Sequence, residues 1–170
     1  MLFQIQQAFM NAEDLDRAEK MKAYMKGQYA YYGIMAPIRK QLSQDHKNVM
    51  GLLPEEQKAE LIDWCWDQPQ REWQYFAMEM LGRTAKKANL EIISIYEYMI
   101  VTKSWWDTID YIASNLLGSY FKNFPEQIPP VTTRWMASEN IWLQRSCLLF
   151  QLKYKQSLDT ELLKSFIHQL

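Results

Sequence analysis

The chain has 170 residues, 48% apolar and 23% charged, the balance of a folded globular protein and not of bulk disorder. Lys and Arg number 19 against 20 Asp and Glu, a net charge of −1 with no basic tail or acidic run, so contact with nucleic acid has to come from local charge clustering. No apolar stretch approaches the roughly 18 residues of a membrane span, the N-terminal M-L-F-Q-I-Q-Q-A-F-M carries no basic leader, and five glycines form no phosphate loop.

Glycine and proline are scarce and fall between segments of helical period, which points to an all-α chain forming one domain over residues 1–170. Residues 14–26 form a charged amphipathic segment, and 27–33 a turn. Pro37 suits the first turn of a helix carrying Ile38 and Leu42, and Pro54 opens another with Leu61, Trp64 and Cys65 on one side. Trp73, Phe76, Ala77, Met80 and Leu81 mark the face of the next helix, with Gly82 as its stop. Helices over 90–101 and 104–117 follow, the second ended by Gly118. Residues 125–130 read as a connector, 131–137 and 141–154 as short helical segments, and Asp159 as the cap of a last helix reaching Leu170.

Trp73, Trp106 and Trp142 recur at intervals of 33 and 36 residues (73 to 106, 106 to 142), each early in a helix that follows another. Helix-pair repeats have periods of roughly 34 to 47 residues, so the spacing points to a solenoid of HEAT- or TPR-like pairs. The last helix bears Leu162, Leu163, Phe166 and Ile167 without a following partner, so self-association through this open helix is a further expectation. Cys65 and Cys147 each lie in an apolar run and read as buried free thiols of a reducing compartment. His46 and His168 are far apart and in no ligand spacing, so no zinc site is expected.

Two segments carry residues with chemistry. In T-K-S-W-W-D-T-I-D (102–110), Ser104 and Asp107 have the spacing of a capping box, which accounts for Asp107. Asp110 lies beyond the first turn and one helical turn from Trp106, which sets an indole and a carboxylate side by side. Trp105, Ile109, Ile112 and Leu116 form a separate apolar face that would dock the helix. In the second segment, 138–155, Ser138 or Asn140 can cap, and Arg145 has apolar neighbours. Its guanidinium needs an acid or a phosphate, with a structural salt bridge as the default. Lys153 and Lys155 read as solvated, and Tyr24 as a packing tyrosine, with Lys22 and Lys26 beside it able to meet a phosphate.

These segments, with F-Q-L-K-Y-K at 150–155, Y-M-K at 24–26, G-I-x-x-P-x-R-K at 33–40 and R-E-W-Q-Y-F-A at 71–77, resemble the AlkD-type DNA alkylation repair proteins. Those are DNA glycosylases built of HEAT-like repeats, and the similarity runs in order over almost the whole chain. The resemblance implies a curved α-solenoid of antiparallel helix pairs. Its partner would be double-stranded DNA, from which it excises cationic N3- or N7-alkylated purines without metal or other cofactor and without flipping the base into a pocket. It implies Asp110 as the catalytic acid, Trp106 against the lesion's sugar and base, Arg145 near the DNA backbone and Tyr24 near the lesion, in a bacterial cytosol or nucleoid. The family has a further helix pair with another site tryptophan after the point matching Leu170, so one or more C-terminal repeats are expected to be missing. The alternatives are a weak or inactive DNA-binding repeat protein and a protein-interaction solenoid.

Overall fold

A computed structural model places residues 2–45 and 55–170. His46 and Pro54 lie outside the described residues. The chain divides into two compact units, Met1–Met80 and Leu81–Leu170.

In the first unit, α1 (Leu2–Asn11), α2 (Leu15–Tyr24), α3 (Ala36–Asp45), α4 (Glu55–Asp67) and the body of α5 (Arg71–Thr84) are all helical. The expected turn at 27–33 is present and takes its shape from Lys26, Gly27 and Gly33, all at positive φ. Asp14 caps α2 by accepting from the Arg17 amide. The core forms around Trp73, stacked on Phe9 at 4.5 Å and met edge-on by Trp64 at 4.9 Å. Trp73, Phe76, Ala77 and Met80 are buried, which is the α5 face read from the sequence.

Two residues of the R-E-W-Q-Y-F-A run prove structural. Arg71 is buried with its guanidinium 3.9 Å from the Tyr29 ring centre. The buried Glu72 carboxylate accepts the amides of Tyr32, Gly33 and Ile34 at 2.9–3.1 Å, which satisfies three donors of a loop that has no ladder. Burial pushes this carboxyl above its ordinary range and the three amides pull it part of the way back.

In the second unit, short 3₁₀ turns precede α6 (Ile93–Val101), and α7 (Trp106–Tyr111) runs through a π-helical turn (Ile112–Leu117) into α8 (Gly118–Asn123). Next come α9 (Ile128–Met136), α10 (Ile141–Leu149) and α11 (Thr160–Gln169). The buried α10 residues Leu143, Ser146 and Cys147 belong to a helix that packs against α6, α7, the π turn, α9 and α11. Successive helix pairs are therefore the building plan, and no strand occurs among the described residues beyond one isolated bridge, Ala30 to Gln70. None of the described helices is long and apolar enough to cross a membrane.

Several boundaries differ from the sequence reading. Gly82 and Gly118 stop nothing, because both lie inside helices. A Cβ on Gly118 would stand 2.6 Å from the Phe150 carbonyl oxygen, and one on Gly82 would strike the Tyr111 hydroxyl. Each glycine therefore permits a close approach and does not act as a terminator. The proline-rich connector is partly helix, since Pro129 and Pro130 occupy the first turn of α9, where a missing N–H costs nothing. Asn140 and Asp159 cap α10 and α11 as expected. Cys65 and Cys147 are free and buried; burial pushes the Cys147 thiol up to about 12 and the Cys65 thiol higher still.

Candidate active site

The site begins at the turn between α6 and α7. Thr102 ends α6, Lys103 sits at φ 49°, and Trp105 is extended, so the chain reverses sharply before Trp106 starts the helix. The N-cap is Trp105, one residue later than the capping-box reading placed the start, and its side chain makes no cap bond. The Ser104 hydroxyl, one residue ahead of the cap, donates back to the Ile100 carbonyl. α10 is entered the same way, through Glu139 at φ 55°, before Asn140 accepts the amides of Trp142 and Leu143. Both helices that carry site residues thus start from a left-handed residue, a conformation that costs a non-glycine residue about 1–2 kcal/mol and persists only when the surrounding packing fixes it.

Docking follows the apolar face read from the sequence. Ile109, Ile112 and Leu116 are fully buried, and the Trp105 and Trp142 rings meet at 5.8 Å. With that face occupied, Trp106 and Asp110 are left on the side open to solvent. The Trp106 residue is 38% exposed and the Asp110 side chain 39% exposed.

Arg145 reaches Asp110 from α10. Nε donates to Oδ1 at 2.7 Å and Nη2 to Oδ2 at 2.9 Å, a two-pronged pair in which the Arg145 side chain is 42% exposed. The default reading of Arg145, a salt bridge, is what forms. The hydrogen bond from this guanidinium to Asp110 raises the Arg145 pKa further. An ion pair this open contributes only about 0–1 kcal/mol to stability, so its effect is orientation: two bonds fix the plane of the carboxylate. Arg145 Nη1 makes no hydrogen bond among the described residues and remains available to an outside anion.

Asp110 and Arg145 are therefore joined in the second unit, with Trp106 one helical turn from the carboxylate. Tyr24 ends α2 in the first unit and is 71% exposed, so it is not the packing tyrosine of the sequence reading. Among the described residues no group of three His, Cys, Asp or Glu is placed to hold a metal ion.

The sequence reading missed what lies directly beyond Asp110. There the helix lines a cavity of about 300 Å³ with Tyr111, Ser114, Asn115 and Lys122, joined by Lys86, Lys153 and Tyr154 from other segments. The lysines come from three stretches of sequence with no spacing in common, which hid them. Lys153, read as merely solvated, donates to Asn115 Oδ1 at 2.5 Å.

Comparison with known proteins identifies the family. The chain matches the family model of DNA alkylation repair enzymes over residues 5–170. It is similar to a solved structure of a predicted DNA alkylation repair enzyme from Enterococcus faecalis, with a TM-score of 0.84 and 29% identity, covering 92% of this chain and 73% of that one. No curated protein matches. With the motifs in order along the sequence and the helix pairs in place, the chain belongs to the family of DNA alkylation repair enzymes, of the AlkD type.

Proposed function

We propose that this DNA repair enzyme is a monofunctional glycosylase that hydrolyses the N-glycosidic bond of cationic N3- or N7-alkylated purines in duplex DNA. An alkylated purine already carries positive charge, so it departs with the bonding electrons and needs no general acid. Positive charge then develops on the deoxyribose. A carboxylate about 4 Å from that charge, at an effective dielectric near 20, stabilises it by roughly 4 kcal/mol, or about three decades in rate.

Asp110 is the group for this role. Its plane is fixed by Arg145, its oxygens are partly open, and it can also orient the water that attacks the sugar. Trp106, one turn away, offers its face to the cationic nucleotide, worth about 0.5–2 kcal/mol of cation–π attraction. Arg145 Nη1 reaches a backbone phosphate while Nε and Nη2 stay on the carboxylate, which couples strand binding to the aim of the acid. Tyr24 is proposed as a further DNA-facing aromatic residue of the first unit, on its exposure and its lysine neighbours. The mechanism uses no lysine nucleophile, so the products are a free alkylated base and an abasic site in an uncut strand.

The observation that carries the reading is the oriented, half-open carboxylate one helical turn from an exposed indole. The same pair gives weight to a second reading, a DNA-binding repeat protein without turnover, because Arg145 partly neutralises Asp110 before substrate arrives. Incubation with methylated duplex DNA separates the two. Chromatography should reveal free alkylpurine, with strand breaks only after alkali. DNA binding without base release would favour the second reading.

A further inference from the structure

We infer that the cavity beside Asp110 is a phosphate-binding subsite that holds the DNA backbone one to two nucleotides from the lesion. The inference rests on the reading of duplex DNA as the substrate of the Asp110 site and adds residues to it.

Four observations converge. First, three lysines, Lys86, Lys122 and Lys153, line the cavity, and among the described residues no carboxylate does. None of the three is in an ion pair among the described residues, although carboxylates elsewhere on this unit are paired with Arg134, Arg145 and Lys164. An uncompensated group of cations around one concavity favours an anion there.

Second, two of the ammonium groups are held in place. Lys153 Nζ donates to Asn115 Oδ1, which leaves it two further protons, and Lys122 Nζ stands 4.4 Å from the centre of the Tyr154 ring. Tyr154 is itself anchored, its hydroxyl donating to the Gly118 carbonyl at 2.9 Å, and burial pushes its pKa up to about 12. It remains neutral, so it adds no negative charge to the cavity.

Third, one wall is the π-helical turn Ile112–Leu117, which contributes Ser114 and Asn115. Such turns are rare and concentrate at functional sites. Here the turn contains Asn115, whose Nδ2 bonds the Tyr111 carbonyl and the Ser114 hydroxyl while its Oδ1 faces Lys153. The amide is thus spent on fixing a lysine.

Fourth, the spacing suits DNA. Ser114, on the cavity lining, follows Asp110 by about one helical turn and donates its hydroxyl to the Asp110 carbonyl, roughly 5–6 Å along the helix axis. Phosphates of one strand advance about 3.4 Å per nucleotide along the duplex axis. A strand that presents its damaged sugar at Asp110 and runs along this helix brings a neighbouring phosphodiester to the cavity.

The test uses the full chain with the substitutions Lys122→Gln and Lys153→Gln together, Lys86→Gln alone, and Lys164→Gln on α11 as a control outside the cavity. All four lysines are exposed, so folding is retained, which circular dichroism checks. Fluorescence anisotropy on duplex DNA across a NaCl series reads the effect. The double variant should bind about tenfold more weakly at low salt, and its log–log salt slope should be shallower by about 0.9, the loss of one phosphate contact. Lys164→Gln should leave the slope alone. A single neutral methylphosphonate placed one or two nucleotides from the lesion should weaken wild-type binding by a similar factor and add nothing in the double variant.

An unchanged slope in the double variant, or methylphosphonate and lysine losses that simply multiply, overturns the inference. So does saturable binding of inorganic phosphate or a mononucleotide, lost in the double variant while DNA binding is not, since the cavity would then serve a free phosphate. Base release by the wild type, measured alongside, separates the failures. An unchanged slope with normal release defeats the subsite alone. The expected slope change without release supports the subsite and defeats the glycosylase reading. No DNA binding at all defeats both.

Discussion

Asp110 and Arg145 lie 35 positions apart and meet only because α7 and α10 pack together. Lysine in place of Arg145 keeps the charge but loses the fork, so the carboxylate is no longer held by two bonds. Arg145→Lys should therefore lower the rate of base release about tenfold at saturating protein while weakening DNA affinity much less. Arg145→Gln should lower both, because it also removes the cation that reaches the phosphate. Single-turnover kinetics beside anisotropy on the same preparations make the comparison. Trp106 and Asp110 were legible as a pair because four-residue spacing fixes one helix face without tertiary information. Their ionic partner was not, since a contact across 35 residues leaves no local signal.

Helices show the same division between local and tertiary information. Caps are local, and Asp14, Asn140 and Asp159 were readable from sequence. Gly82 and Gly118 were misread because a helix stop and a close helix contact both call for glycine; only the presence of Phe150 and Tyr111 decides. Alanine at Gly118 should gain up to about 1 kcal/mol of helix propensity yet lose about 1–3 kcal/mol to the clash with the Phe150 carbonyl, a net fall in denaturation midpoint. The π turn had no sequence signature at all.

Glu72 gives a larger effect, in the first unit. Glu72→Ala leaves three buried amides without an acceptor and should cost about 3 kcal/mol or more, while Glu72→Gln, which keeps one carbonyl oxygen, should cost less. Urea unfolding measures both. At the surface, Arg134 hydrogen-bonds Glu97 and holds its carboxyl below the ordinary value of 4.5. The stability this pair adds is complete above pH 4.5 and is lost as pH falls through the lowered pKa. Arg134 is more than half exposed, so the component should be under about 1 kcal/mol and absent in Arg134→Gln.

On the scale of the whole molecule, the net charge of −1 hides a division. Residues 81–170 carry ten Lys and Arg against eight Asp and Glu, a net +2, which leaves −3 on residues 1–80. The unit that holds the proposed site is thus the positive one, and the overall balance understated its suitability for DNA. With one phosphate on Arg145 and one held in the lysine cavity, these contacts should contribute about −2 to the slope of log affinity against log salt, measurable by anisotropy on undamaged duplex. The all-α plan was legible because glycine and proline are scarce and the apolar residues recur at helical spacing. The three-lysine cavity was not, because it is assembled from segments around positions 86, 122 and 153.

The most direct test of the central claim is the single-turnover rate of N7-methylguanine release from duplex DNA, at saturating protein, for the wild type and Asp110→Asn. Binding of each protein to the same duplex is read in parallel. Release should fall by about two to three decades with affinity nearly unchanged, the deficit expected when one oriented charge is removed from beside the developing sugar cation. Equal rates in the two proteins would contradict that claim.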